Sequence, residues 1–83
     1  MDAEGLINQA SRIIEKVSLC GDTLVLGVLA EVVEFLRVYV GERNTFYRQL
    51  NDIDPRALHT DYIRERVIGN LTAFIEFVQN DLL

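Results

Sequence analysis

Hydrophobic residues over the first twenty positions follow the pattern of a single amphipathic helix. Apolar side chains recur at steps of three and four residues, as they do on one face of an α-helix. These residues are Leu6, Ile7, Ala10, Ile13, Ile14 and Val17. Asp2 is a suitable N-cap and Gly21 a suitable stop. We therefore predict a helix from Ala3 to Leu19 with one face in the core.

The second segment is more hydrophobic and predicts a helix with neighbours on most sides. It starts near Asp22 or Thr23, either of which can cap it, and extends at least to Val40. Its apolar arc on a helical wheel covers about 200°, whereas a surface helix needs little more than about 100°. The arc consists of Leu24, Val25, Leu26, Val28, Leu29, Val32, Val33, Phe35, Leu36, Tyr39 and Val40.

A buried strand is the alternative for this segment, because six valines raise its β propensity. We reject it since Glu31, Glu34 and Arg37 recur at three-residue steps, and since the segment is too long for a typical strand. Val32 lies at the centre of the arc and Glu31 lies on the polar strip.

Two further helices complete the chain. Gly41 predicts a kink or short break, after which Asn44 or Thr45 can cap a short helix from Thr45 to Asn51. One continuous helix to residue 52 is the close alternative. Asp54 as cap and Pro55 at the first position predict a last helix from Pro55 to Asn80. Its expected core face is Ile63, Val67, Ile68, Leu71, Phe74, Ile75, Val78 and Leu82.

These elements predict an all-α fold, namely an antiparallel three-helix bundle with a short fourth helix or kink after the second helix. We expect a single domain over residues 1–83 in which more than about 80% of residues are helical. Short connections would impose an up-down-up order on the three long helices.

Charge and composition exclude several classes of function. The net charge is −5 and no basic patch emerges, so nucleic-acid binding is not expected. The longest apolar stretch, from Leu24 to Val40, is too short for a membrane span and is interrupted by charges. Cys20 is the only cysteine, which rules out an intrachain disulfide and fits a cytoplasmic protein.

Residues that could carry chemistry are few. His59 is the only histidine, and the nearest approach to a metal-binding set, His59 with Asp61 and Glu65, makes a poor group of ligands. Cys20 lies at a helix C-terminus beside an aspartate, where a reactive thiolate is disfavoured. We therefore expect no catalytic residues, no metal ligands and no cofactor. A small metal-binding or enzymatic bundle using Glu31, Glu34, His59 and Glu65 is an alternative.

Several residues are out of place on a simple amphipathic wheel and indicate contacts with another protein. Arg64 lies within the apolar face of the last helix, where it either extends to solvent, the simpler explanation, or forms an ion pair that fixes register or partner choice. Three apolar residues of the same segment, Leu58, Tyr62 and Phe77, lie off that face. With the surplus arc of the second helix, the interface candidates are Leu26, Val33, Leu58, Tyr62, Arg64 and Phe77.

The stretch Phe35-Leu36-Arg37-Val38-Tyr39-Val40-Gly41-Glu42, followed by Phe46-Tyr47, resembles a pattern in helical N-terminal regions of bacterial multidomain defence proteins. The resemblance implies an oligomerising or sensing module without catalytic residues. The function we expect is a helical protein–protein interaction or oligomerisation module, with a homo-oligomer, most simply a dimer, or another protein as partner. An immunity protein or antitoxin-type binder is the alternative.

Overall fold

The computed structural model describes residues 2–80, which form four α-helices and no strand. The helices are α1 (Ala3–Leu19), α2 (Asp22–Tyr39), α3 (Thr45–Asn51) and α4 (Thr60–Gln79). The prediction of an all-α fold with a short helix after the second is therefore confirmed. The helical content is 78%, slightly below the expected value, because residues 52–59 are not helical.

The bounds of α1 and α3 are those that the sequence predicts, and both helices have side-chain caps. Asp2 Oδ1 accepts a hydrogen bond from Gly5 N at 2.8 Å, and Asn44 Oδ1 accepts one from Phe46 N at 2.8 Å. Between α2 and α3, Gly41 has a φ of +90°, a conformation that glycine adopts without a Cβ clash. The helix therefore breaks at Gly41 and does not continue to residue 52.

The predicted cap of α2 was one residue too late. Asp22 is the first helical residue, and the N-cap is Gly21, which makes no side-chain hydrogen bond. The helix ends at Tyr39 with Val40 as its C-cap, one residue before the expected end. Gly21 thus separates α1 from α2 as the N-cap of the second helix.

The predicted start of α4 at Pro55 was wrong by five residues. Asp54 Oδ1 accepts a hydrogen bond from Arg56 N at 2.9 Å, and Ala57 N donates to Asp54 O, so this segment closes a local turn. Asp and Asn side chains commonly stabilise turns in this way instead of starting helices. The N-cap of α4 is His59, whose Nδ1 accepts from Asp61 N at 3.1 Å.

All four helices contribute to one hydrophobic core. Val32, at the centre of the predicted arc of α2, is fully buried, and α3 contributes Leu50. The buried hydrophobic residues are Leu6, Ala10, Ile13, Val17, Val25, Val28, Leu29, Val32, Phe35, Leu36, Leu50, Ile63, Val67, Leu71, Phe74 and Val78. Ile68 and Ile75 are only partly buried, and Leu82 lies outside the described residues.

Contacts at both ends of α2 and α4 define their relative direction. Arg64 near the start of α4 bonds to Asp22 at the start of α2, at 2.9 Å. Phe35 and Phe74, in the C-terminal halves of the same helices, stack edge-on with ring centroids 5.9 Å apart. Since the starts adjoin and the later parts adjoin, α2 and α4 run in broadly the same direction. The alternating order expected for the three long helices does not describe this pair.

The chain between α2 and α4 makes the return pass that the predicted order lacked. Phe46 at the start of α3 stacks against Phe74 and Phe77, at 5.6 and 5.4 Å, near the C-terminal end of α4. From there, α3 and residues 52–59 lead back to the start of α4 at Thr60. This connection is long enough to cross the molecule, and for that reason it does not force its flanking helices to be antiparallel.

Among residues 2–80, no helix is both long enough and apolar enough to cross a membrane.

Candidate functional site

A groove between α2 and the α3–α4 connection brings together two predicted interface residues. Leu26 is 44% exposed and Val33 is partly buried. Both lie on the side of α2 that faces α3. The groove, which we call the α2 groove, is lined by Leu26, Leu29, Ala30, Val33, Leu50, Asn51, Ile53 and Pro55. Its lining is almost entirely apolar.

A second groove lies between the same connection and the start of α4. This α4 groove is lined by Gln49, Asp52, Ile53, Asp54, Ala57, Leu58, Tyr62 and Arg66. Tyr62 is 45% exposed. The Arg66 guanidinium lies 5.9 Å from the centroid of the Tyr62 ring, a distance at which a cation is attracted to the ring face. Arg66 Nη1 also lies 3.4 Å from the Tyr62 hydroxyl oxygen and donates to it.

The two grooves are adjacent because Ile53 lines both of them. Leu26 and Val33 line the α2 groove, and Leu58 and Tyr62 line the α4 groove; we call the two adjoining grooves together the connection surface. Three separate segments of the chain contribute to it. The sequence identified each of these residues as surplus, and the fold places them side by side.

The other two interface candidates lie elsewhere and make contacts within the chain. Phe77 is partly buried against the Phe46 ring. The side chain of Arg64 is only 18% exposed. Neither residue belongs to the connection surface.

Arg64 joins α4 to the turn between α1 and α2. Its Nη1 donates to Val17 O at 2.6 Å and to Cys20 O at 2.8 Å, while Nη2 donates to Asp22 Oδ1 at 2.9 Å. The last carbonyls of a helix have no intrahelical partner, and a cation there also complements the helix dipole. The structure thus shows the ion pair that the sequence raised as an alternative to extension into solvent.

Asn70 is a buried polar residue that the sequence analysis missed. It is 7% exposed, and its Nδ2 donates to Phe46 O and to Gln49 Oε1, both at 3.1 Å. Its Oδ1 accepts no hydrogen bond from the described residues. The position of Asn70 beside Ile63 and Phe74 on the wheel is the signal that could have identified it. The amide ties α3 to α4.

Charged side chains on the outside of α2 are paired. Lys16 Nζ lies 2.7 Å from Glu31 Oε2 and links α1 to α2. Arg37 binds both carboxylate oxygens of Glu34, with Nε to Oε2 at 3.0 Å. This hydrogen bonding from Arg37 holds the pKa of Glu34 below its usual range and raises the pKa of Arg37.

The described residues contain no cluster of three or more His, Cys, Asp or Glu side chains that could hold a metal ion. His59 uses Nδ1 as a helix cap, and the partly buried Cys20 donates its thiol hydrogen to Val17 O at 3.5 Å. The four residues of the alternative metal-binding reading are not brought together.

Comparison of the chain with protein-family models, with curated proteins and with solved structures produced no match. The functional conclusion therefore rests on the geometry of the described residues.

Proposed function

We propose that this chain is a helical oligomerisation module that associates with a second copy of itself through the connection surface and has no catalytic activity of its own. One observation carries the proposal: Leu26, Val33, Leu58 and Tyr62 come from separate segments and line the two adjoining grooves of this surface. Contiguous exposed apolar surface of this kind marks interaction sites, and tyrosine is enriched in them.

Leu24 and Val38 are exposed hydrophobic residues that do not adjoin each other. Leu24 is 61% exposed and Val38 is 56% exposed, but they lie far apart along α2. Single exposed apolar side chains are normal on soluble proteins and need no partner. A typical interface buries about 800 Å² per partner, roughly 15% of the 5233 Å² surface of this chain. The connection surface and its rim are the natural place for that area.

A second copy is the partner that the charges favour. The rim of the α4 groove carries both acidic and basic side chains, Asp52 and Asp54 on one side and Arg66 on the other. In a two-fold dimer both partners carry the same charges, so a surface with both signs can find opposite charges on the second copy. A binder dedicated to one strongly charged protein, as an immunity protein or antitoxin can be, would more typically carry one sign.

Self-association is tested by sedimentation velocity and light scattering over a hundredfold concentration range. We expect a reversible dimer and at least tenfold weaker association for Tyr62→Ser, since aromatic residues buried in an interface carry much of its energy. Leu24→Ser is the matched control, because it removes an apolar side chain that is even more exposed and lies away from the connection surface. A wild-type protein that stays strictly monomeric at the highest concentration contradicts the proposal.

We also propose that residues 1–83 form a single domain with four passes, in which α3 and residues 52–59 supply the third. The support is the single core cluster and the contacts of α4 with Asp22, Phe35 and Phe46. The resemblance of residues 35–47 to N-terminal regions of bacterial defence proteins agrees with an oligomerising role. A cytoplasmic setting has its support in the single cysteine, which is typical of reducing compartments.

A further inference from the structure

The outward face of α4 carries a regular row of exposed residues. Tyr62, Arg66, Gly69, Ala73 and Glu76 are all exposed and are spaced alternately by four and three residues. This is the 3.5-residue spacing of the contact line between paired helices, and it keeps the five residues within about 80° on a helical wheel. We call this row the α4 seam. Its first two residues also line the α4 groove.

Gly69 at the middle of the seam has no explanation within the chain. Glycine in the interior of a helix is less stable than alanine. A Cβ added at Gly69 would meet nothing within 4 Å, and Gly69 does not have a positive φ. Internal packing and backbone conformation therefore both permit a larger residue. Glycine on an exposed helix face allows another backbone to approach closely, and Ala73 one turn later extends the same shallow region.

The charges of the seam are arranged for pairing with an identical helix in the opposite direction. Arg66 lies on the N-terminal side of the small residues and Glu76 on the C-terminal side. When Gly69 faces Ala73 of an antiparallel copy, Arg66 faces Glu76 of that copy, because both pairs share the same midpoint. The two-fold axis repeats each contact, which gives two small–small contacts flanked by two ion pairs. A parallel pair would instead bring like charges together.

We propose that two copies of this chain pair through antiparallel α4 helices, with Gly69 against Ala73 and Arg66 against Glu76. The inference rests on the proposed self-association and specifies its symmetry and register. The same register brings the end of the second copy's α4 beside Tyr62, so the contact continues onto the connection surface. Close approach at Gly69 supplies the packing, and the ion pairs select the antiparallel orientation.

Charge reversal tests the register by sedimentation velocity. Arg66→Glu alone and Glu76→Arg alone each place like charges together twice, so each is expected to weaken self-association at least tenfold. The double variant R66E/E76R restores both pairs and should associate as the wild type does. An equimolar mixture of the two single variants should form a heterodimer for the same reason. Arg12→Glu and Glu15→Arg, on the exposed part of α1, are the matched controls.

A glycine substitution tests the close approach without endangering the fold. Gly69→Ala is expected to raise the melting temperature of the monomer by about 4 °C or more, since alanine favours the helix and meets no neighbour. It should nevertheless weaken self-association at least tenfold. Gly27→Ala in α2 is the control, because that site is equally open and lies off the seam. It should raise the melting temperature and leave association unchanged.

The outcomes separate this proposal from the broader one. If the wild type associates and Tyr62→Ser weakens the dimer, but the charge reversals do not, the register is overturned and the proposed function stands. A double variant that is weaker than either single variant also overturns it. If the wild type is monomeric throughout, both proposals fall.

Discussion

The inner and outer faces of α4 differ in how closely they are packed, although they belong to one helix. Ile63, Val67 and Leu71 are fully buried on the inner face. On the outer face, Gly69 and Ala73 are exposed and line a shallow groove beside Gln49 and Leu50 of α3. The same contrast exists in α2, where Val32 is fully buried beside the exposed Glu31.

The difference separates residues that have side-chain contacts within the chain from a residue that has none. Arg64 and Asn70 look unfavourable on the wheel, yet each has partners within the fold: Arg64 at the end of α1 and Asn70 on α3. Gly69 has no such partner. Contacts within the chain therefore account for the positions of Arg64 and Asn70. Gly69 faces outwards, and it is the residue for which we propose a contact with a second molecule.

The largest expected effect is on the inner face of α2. Val32→Asp places an unpaired carboxylate in the core, which costs several kcal/mol against a typical total stability of about 5–10 kcal/mol. We expect the domain to unfold or nearly so by circular dichroism and urea titration. Glu31→Ala, one residue earlier, should change the free energy of unfolding by about 0.5 kcal/mol or less. Equal stabilities for the two variants would contradict the assignment of the inner face.

A smaller loss of stability is expected when the contacts between α4 and the α1–α2 turn are removed. Arg64→Met keeps much of the apolar stem but removes the donors to Val17 O, Cys20 O and Asp22. A hydrogen bond from a charged group contributes about 1.5–3 kcal/mol, but Asp22 is largely exposed and water can replace part of this set, so we expect a loss of roughly 2–3 kcal/mol in total in urea denaturation. Arg12→Met on α1 is the control and should be nearly neutral. A neutral Arg64→Met would mean that these contacts add nothing to stability.

The next largest loss of stability is expected when the hydrogen bonds between Asn70 and α3 are removed. Asn70→Ala removes both Nδ2 hydrogen bonds and leaves Phe46 O without this donor. We expect about 1–2 kcal/mol lower stability, since two hydrogen bonds are lost and each typically contributes about 0.5–1.5 kcal/mol. Faster amide exchange in α3 than in α1 would show that the loss is local. Uniform loss of protection in both helices would argue against a specific tie.

The smallest effect on stability is expected for the exposed ion pair between Glu34 and Arg37 on α2. The bound Arg37 lowers the pKa of Glu34, so the pair favours the folded state above the usual carboxyl pKa, and this contribution fades as the pH falls through the lowered value. A carbon-detected NMR titration should show Glu34 protonating at higher pH in Arg37→Gln than in the wild type. No change in melting temperature is expected, because both side chains are largely exposed. Identical titration of Glu34 in the wild type and in Arg37→Gln would contradict the pairing.

The sequence by itself determined the class of fold, the bounds of α1 and α3, the break at Gly41 and most of the core. Each of these depends on residues within a few turns of one another, through helical periodicity, capping side chains and the backbone freedom of glycine. It also identified Leu26, Val33, Leu58 and Tyr62 as surplus apolar residues, because each lies at the edge of a helical face or off it.

Only the tertiary structure decided which of these residues adjoin and how the helices run. At Asp54, two local motifs compete, a turn and a helix start, and the fold uses the turn, so that α4 begins at Thr60. The direction of α4 relative to α2 is evident from the contact of Arg64 with Asp22, which are 42 residues apart in the sequence. Periodicity and propensity describe one helix at a time. The position of a side chain relative to a distant helix depends on how all the helices pack together, and local pattern does not encode it.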